Sequence, residues 1–304
     1  LFRKTGHEYL ERRYFKLFFK DVRYPIPNKG RILIYAGIGH LYITSLEILM
    51  YHLLRKEGYQ VDYFIYDEKV PINEVITEEI INGIGKDKFW NKSVNNAKRF
   101  LDSSGVRYNF IDFTDESEKL IAPIKDDLEK ILAFEYNNIN FGYIVKGVMY
   151  RFYKSKTFGD DALLRAYQFL RTSLANYFQV RKLCTQSSYK YLFFSHGIYC
   201  TWEPVSSYCL ENKIPFVCYD RGKIKGTVNF NINQPSPDWS FDEAWIRYSG
   251  RVLRDTEEKM VDQYLAEREL QKGDVYSYNT LERNKDINSV KNLLGIKPDA
   301  KVIT

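Results

Sequence analysis

Four short stretches of this sequence carry residue types that do chemistry near neutral pH. Ser195-His196-Gly197 closes the apolar run Tyr191–Phe194, and Gly37-Ile38-Gly39-His40 closes the apolar run Arg31–Ala36. Imidazole is the side chain whose ordinary pKa permits proton transfer near neutrality. His196 and His40 each read either as a general base or as a ring that hydrogen-bonds a loop carbonyl and fixes a turn. Gly197 suits a positive φ or the close approach of a ligand. Gly37 and Gly39 place backbone N–H groups at a helix start, where an anion is favoured. Glu203, beside Trp202, is either a carboxylate base or a first-turn charge that suits the helix dipole. Asp220-Arg221-Gly222-Lys223 puts two cations after the next strand, so Arg221 or Lys223 would contact a phosphate or another anion, or form a solvated basic loop. Asp160-Asp161 does not follow a strand as a metal-holding pair would, and reads as a cap for the helix at Ala162. His52 falls on a helix face and reads as packing. Two histidines in separate loops lack a third ligand, so neither a metal nor another cofactor is expected.

These residues need elements to hold them. A buried strand (191–194), a polar loop, a helical pattern from Thr201 to Asn212 with Pro204 in its first turn, and a second strand (214–219) make one βαβ unit. An open α/β sheet places its ligands at the carboxyl ends of such strands. A first βαβ unit runs from Arg31–Ala36 through a helix with Leu46, Leu49, Met50, Leu53 and Leu54 on one side to the strand Val61–Tyr66. Its first loop is not GxGxxG, and Asp67 is the nearest acidic residue to the usual ribose position. Helix is expected over 70–100, a strand over Val106–Phe113, and several helices over about 117–182, broken near Phe158–Asp161. After Asp220, residues 226–233 read as a short edge strand, and 250–271 as a charged helix packed through Val252, Leu253, Met260, Val261, Tyr264 and Leu265. The fold class is α/β: a Rossmann-like, mainly parallel sheet with helices on both faces and a helical insertion. Residues 1–29 are read as an amphipathic helix (8–20) and tail, 30–271 as the Rossmann-like domain, and 272–304 as a linker and the start of a second domain.

Composition narrows the classes. The 304 residues carry 45 Lys and Arg against 39 Asp and Glu, a formal +6 with charges interspersed. That balance suits anionic partners or a plain surface. Without zinc-finger spacing, an RNP-like strand or a long basic stripe, no nucleic acid is expected as a partner. Cys184, Cys200, Cys209 and Cys218 lack paired metal spacing and read as free thiols in a reducing compartment. No apolar run is long enough to span a membrane. The aromatic and basic helix at Tyr14, Phe15, Phe18 and Phe19 would either lie on a membrane surface or dock on its own domain.

Gly37-Ile-Gly-His40, Phe194-Ser-His-Gly197 and the terminal Leu294-Gly-Ile-Lys-Pro-Asp-Ala-Lys-Val-Ile303 together resemble the amino-terminal, acceptor-side half of glycosyltransferases built from two facing Rossmann-like domains (GT-B), of the kind found in bacterial capsule and surface-polysaccharide biosynthesis. The resemblance implies transfer from a nucleotide-sugar donor to a saccharide or lipid-linked acceptor, at the cytoplasmic face of the membrane, with most donor contacts from a further domain. His196 and His40 would then face the interdomain cleft. A nucleotide-sugar epimerase-like enzyme and a non-catalytic binding or scaffold domain share the same layout.

Overall fold

Apolar strand runs that alternate with helical patterns bury both faces of a sheet when the strands pair in parallel and the helices cover them. A computed structural model describes residues 15–19, 21–37, 41–67, 69–113, 115–222, 227–238, 240 and 242–269. Its strands are β1 (Arg31–Gly37), β2 (Gln60–Ile65), β3 (Asn109–Phe110), β4 (Glu135–Tyr136), β5 (Ile139–Asn140), β6 (Tyr189–Ser195), β7 (Phe216–Arg221) and β8 (Val228–Ile232). Its helices are α1 (Leu41–Lys56), α2 (Glu78–Gly83), α3 (Lys86–Ser103), α4 (Asp115–Ile121), α5 (Leu128–Leu132), α6 (Phe141–Tyr153), α7 (Ala162–Gln186), α8 (Tyr199–Glu211), α9 (Asp242–Tyr248) and α10 (Asp255–Glu269). Six strands form one sheet in the order β3-β2-β1-β6-β7-β8, with parallel pairing from β3 through β7, and helices flank both faces. This is a Rossmann-like architecture. β4 and β5 form a separate antiparallel hairpin.

Strand side chains alternate between faces. Leu33 and Tyr35, Phe64 and Tyr66, Leu192 and Phe194, and Phe216 and Cys218 point into the main core, which α3, α6, α7 and α8 complete. The other face carries Tyr63 and Tyr219, whose hydroxyls both donate to the Glu47 carboxylate of α1, Tyr63 at 2.6 Å. This pair of bonds sets the rotation of α1. Thr44, Glu47, Ile48 and Tyr51 face inward, whereas Leu49 (40% exposed) and Leu53 (62%), expected on the packing side, face out. A carboxyl side chain thus takes an inward place because two buried tyrosines need an acceptor, while Met50, expected on the packing side, is buried there.

Other elements depart from their expected limits for local reasons. The expected strand over Val106–Phe113 contracts to Asn109–Phe110, since at the sheet edge it pairs only with Phe64 and Ile65. The segment 70–77 is irregular rather than helical. It buries Val70, Ile72 and Ile76, contains Pro71, and ends at Thr77, whose side chain accepts from the Ile80 N–H and caps α2. The expected insertion is helical from α4 to α7 but contains the β4–β5 hairpin. Asp161 holds the N-cap place of α7 without capping it, for its carboxylate binds the Tyr153 hydroxyl and Arg165 Nε (2.6 Å). The helical turn at 15–19 docks through Phe15 on Phe100 and through Phe19 stacked on His52 at 3.7 Å between centroids, leaving Leu17 and Phe18 exposed. His52 is buried and also bonded to the Tyr24 hydroxyl, which makes it a packing residue.

The chain divides into two units, residues 1–220 with 230–240, and residues 221–229 with 241–304. In the second, Glu257 of α10 reaches back to the Arg254 N–H at 2.9 Å and pairs with the side chains of Arg251 and Arg254, closing the helix start from one side. Val252, Leu253, Met260, Val261 and Leu265, expected as a packing stripe, are exposed, as are Trp245 and Ile246 of α9. Among the described residues no helix is long and apolar enough to cross a membrane.

Candidate functional site

From β1 the chain winds outward through β2 to β3, then returns to lay β6, β7 and β8 on the other side of β1. The order reverses between β1 and β6, which makes their carboxyl ends the topological switch point of the sheet. Open α/β sheets bind ligands at this position. Gly37 ends β1, and Ser195-His196-Gly197 ends β6. Gly37 and the Ser195-His196-Gly197 turn therefore reach the same edge. Ile38, Gly39, His40 and Lys223 lie outside the described residues, as does the Arg221 side chain, although the Arg221 backbone closes β7.

The glycines are occupied by protein. Gly37 has φ +67°, and a Cβ there would collide with Thr201 Cγ2 of α8. Gly197 has φ +71°, and its Cβ would stand 2.8 Å from Cys218 Sγ and 3.1 Å from Pro235 Cα. The positive φ expected at Gly197 is present, but the space is filled by neighbours rather than held open. His196 (φ 54°) and Tyr199 (φ 66°) also sit in the left-handed region that L side chains seldom adopt, so the turn into α8 is strained at two bulky residues.

The imidazole of His196 is fully engaged. Nε2 lies 3.0 Å from Asp220 Oδ1, at the end of neighbouring β7. Nδ1 meets the hydroxyl of Ser195, which is buried. The ring stacks on Trp202 at 5.5 Å between centroids and 26°. Its backbone N–H donates to the Tyr219 carbonyl (3.0 Å), and its carbonyl accepts from the Ser236 N–H (2.7 Å). A carboxylate on one imidazole nitrogen fixes the orientation of the ring. A ligand hydroxyl gains a ring nitrogen here only by displacing Asp220 or Ser195. The His196 side chain retains 27% exposure, so one edge of the ring is open.

A buried polar network joins the ends of β1 and β2 to α7 and α8. Asn176 of α7 accepts from Tyr35 OH (2.7 Å), and its two amide hydrogens are shared among Tyr66 OH (2.6 Å), the Thr172 carbonyl (2.8 Å) and the Cys200 carbonyl (3.0 Å). Tyr66 OH donates to Thr201 Oγ1, which with Cys200 Sγ binds Glu74 Oε2. Burial raises the Glu74 carboxyl above its ordinary range, and its second oxygen, Oε1, has no partner. Helix α8 begins at Tyr199, so Pro204 falls past the first turn in which it was expected. Proline has no N–H for the carbonyl four residues back. That carbonyl is Cys200, and Asn176 supplies the missing donor.

Glu203 is likewise past the first turn and is not a dipole-compensating charge. Its carboxyl is pushed up to about 7, chiefly by burial and further by the Asp238 charge, while the Tyr199 backbone N–H holds it down in part. It lines a cleft of about 380 Å³ between α8 and the β4–β5 hairpin. His196 is not among the lining residues, so the two groups do not share that cleft. Among the described residues no cluster of His, Cys, Asp and Glu is arranged to hold a metal ion. All four cysteines are free, as their spacing suggested.

Asp220 was the missed member of the site. Its signal was positional, an acid at the end of the apolar run 216–219 next to the strand that ends in His196. Asn176, Glu47 and Glu74 carried a fainter signal, polar residues set within apolar patterns. No family model, no curated protein and no solved structure matches this chain. The fold is that of a nucleotide- or ligand-binding domain in general terms, and a finer reading rests on site geometry.

Proposed function

We propose that this chain is the acceptor-side domain of a glycosyltransferase that uses a nucleotide-activated sugar in surface-polysaccharide assembly. The observation that carries the reading is the pairing of His196 with Asp220 at the sheet's switch point, beside the end of β1. Glycosyl transfer to a hydroxyl needs a base as the oxocarbenium-like centre forms. An oriented imidazole backed by a carboxylate meets that need once the acceptor hydroxyl displaces one partner. His40, from the neighbouring loop, and Glu203 are the other candidate bases. Arg221 and Lys223 are the candidate cations for a donor phosphate, and Gly37, Gly39 and Gly197 are the candidate backbone contacts for it. The exposed Leu17 and Phe18 beside basic neighbours support a peripheral membrane contact at the cytoplasmic face. Liposome flotation at low and physiological salt tests that contact, and absence of binding at both would reject it.

A non-catalytic binding domain is the second reading, favoured by the full engagement of both His196 nitrogens. One experiment separates the two. The protein encoded by the complete gene is screened with sugar nucleotides for hydrolysis and transfer, alongside His196→Ala, Asp220→Asn, His40→Ala and Glu203→Gln. Loss of a base lowers turnover by roughly 10²–10⁴-fold. Turnover unchanged in the His196 and Asp220 variants, with a lowered melting temperature, would reject the catalytic role of the pair.

A further inference from the structure

The cleft beside Glu203 is separate from the His196–Asp220 pair at the switch point. Its rim is the β4–β5 hairpin, whose two turn residues, Asn137 (φ 48°) and Asn138 (φ 59°), both lie in the left-handed region. That is the geometry of a two-residue type I′ turn, and asparagine tolerates it better than most residues. The rim is tied down at several points. Asn137 Nδ2 donates to Tyr177 OH at 3.0 Å. Asn140 Oδ1 accepts from the Tyr143 N–H at 2.7 Å and so caps α6, while its Nδ2 donates to Glu135 at 3.0 Å. The Gly142 N–H donates to the Phe134 carbonyl (2.9 Å), and a Cβ on Gly142 would collide with the Leu132 carbonyl. A rim held this way is ordered before any ligand arrives, which lowers the entropic cost of binding.

What the cleft offers is selective. Residues 203, 207, 210 and 211 line it from one side of α8, as their spacing of four, three and one allows. The polar residues in its lining include Asn138, Tyr143, Ser207, Glu203 and Glu211. Ile139, Ile144 and Leu210 supply apolar surface. No lysine, arginine or histidine lines it, and two carboxyl groups repel an anion, so phosphates and nucleotides are poor ligands. Amides, hydroxyls and carboxyls can both give and take hydrogen bonds when one carboxyl carries its proton. That pattern complements hydroxyl groups, which also do both. Aliphatic side chains and the exposed Tyr143 ring (69% exposed) complement the C–H faces of a ring. A volume of about 380 Å³ is that of a site for a small ligand.

We infer that this cleft binds a neutral, polyhydroxylated ligand, a saccharide, through Asn138, Tyr143, Glu203 and Ser207. Identification of this saccharide with the acceptor rests on the reading proposed above. The binding itself rests on the cleft alone.

The test is binding in the absence of any sugar nucleotide, so its outcome is independent of transfer activity. N-acetylglucosamine, methyl β-glucoside, lactose and chitobiose are titrated into the intact protein and followed by saturation-transfer NMR and calorimetry at low and high salt. At least one should bind with Kd on the order of 1 mM or tighter, and with little salt dependence, as a neutral ligand requires. Asn138→Gly preserves the turn while removing the amide, and Tyr143→Ala removes an exposed ring. Each should weaken binding by about fivefold or more with unchanged melting temperature. Spermidine is the control for the opposite chemistry, because a cleft with two carboxyls would also attract an amine. Three results would each overturn the inference. These are no saccharide binding, binding indifferent to both substitutions, and salt-sensitive binding of spermidine alone.

Discussion

Replacing Asn176 by alanine should destabilise the chain out of proportion to the few atoms removed. The amide is wholly buried and serves four partners. Tyr66 OH retains Thr201, at 3.1 Å, and Thr172 lies within the same helix. The Tyr35 hydroxyl and the Cys200 carbonyl would lose partners inside the core, each at a cost of ~1–3 kcal/mol. The expected loss is therefore ~2–6 kcal/mol, enough to unfold a marginally stable domain. Urea unfolding followed by tryptophan fluorescence and far-ultraviolet circular dichroism measures it. A second substitution isolates the proline's part. Pro204→Ala restores a backbone N–H four residues beyond Cys200, so in the Asn176→Ala background it should recover ~1 kcal/mol more than in the parent chain. A loss below ~1 kcal/mol for Asn176→Ala, or no coupling between the two sites, would refute this account of the network.

Burial lifts the Glu47 carboxyl from its ordinary 4.5 to about 7, with the two tyrosine hydroxyls pulling the other way. The folded chain then holds a proton that the unfolded chain has released, so stability falls as pH rises from 4.5 to 7, by ~3 kcal/mol. Glu47→Gln should flatten that slope in urea midpoints measured across this range. His52 acts in the opposite sense. Burial lowers its pKa from 6.5 to about 4, so its contribution is present above 6.5 and lost as pH falls toward 4. In the Glu47→Gln chain this acid loss should stand out, and adding His52→Phe should remove it. Gly37→Ala combines a left-handed backbone, ~1–2 kcal/mol for an L side chain, with a collision at Thr201. A calorimetric melting temperature equal to that of the parent would show that the end of β1 moves freely from α8.

The sheet was legible because its signal is local and repeated. Arg31–Ala36, Val61–Tyr66 and Tyr191–Phe194 are apolar runs that only a doubly covered sheet can bury, and each proved to be a strand within a residue or two. His196 was legible because a polar triplet closed such a run. The rotation of α1 was not legible. Of the five apolar residues expected on one side, Met50 is buried but Leu49 and Leu53 face out, and only the hydroxyls of Tyr63 and Tyr219, remote in sequence, turn Glu47 inward. The β4–β5 hairpin was missed because its strands are two residues each and its Asn-Asn turn sits inside a helical region. The partner of His196 was missed for a similar reason, since Asp220 meets it only through the pairing of Ser195 with Tyr219.

The four thiols offer an intrinsic reporter of opening. Cys184, Cys200, Cys209 and Cys218 span the end of α7, α8 and β7, and three of them are buried. Burial pushes Cys184 up to about 12 and raises the others as well. A thiol reagent reacts with the thiolate, so in neutral buffer the folded chain should be almost inert toward it. Each modification would then record a moment when this βαβ unit parts from the core. If α8 lifts away by itself, Cys200 and Cys209 react before Cys218. If the three react together, helix and strand open as one cooperative piece, and the turn that carries His196 is as stable as the sheet beneath it.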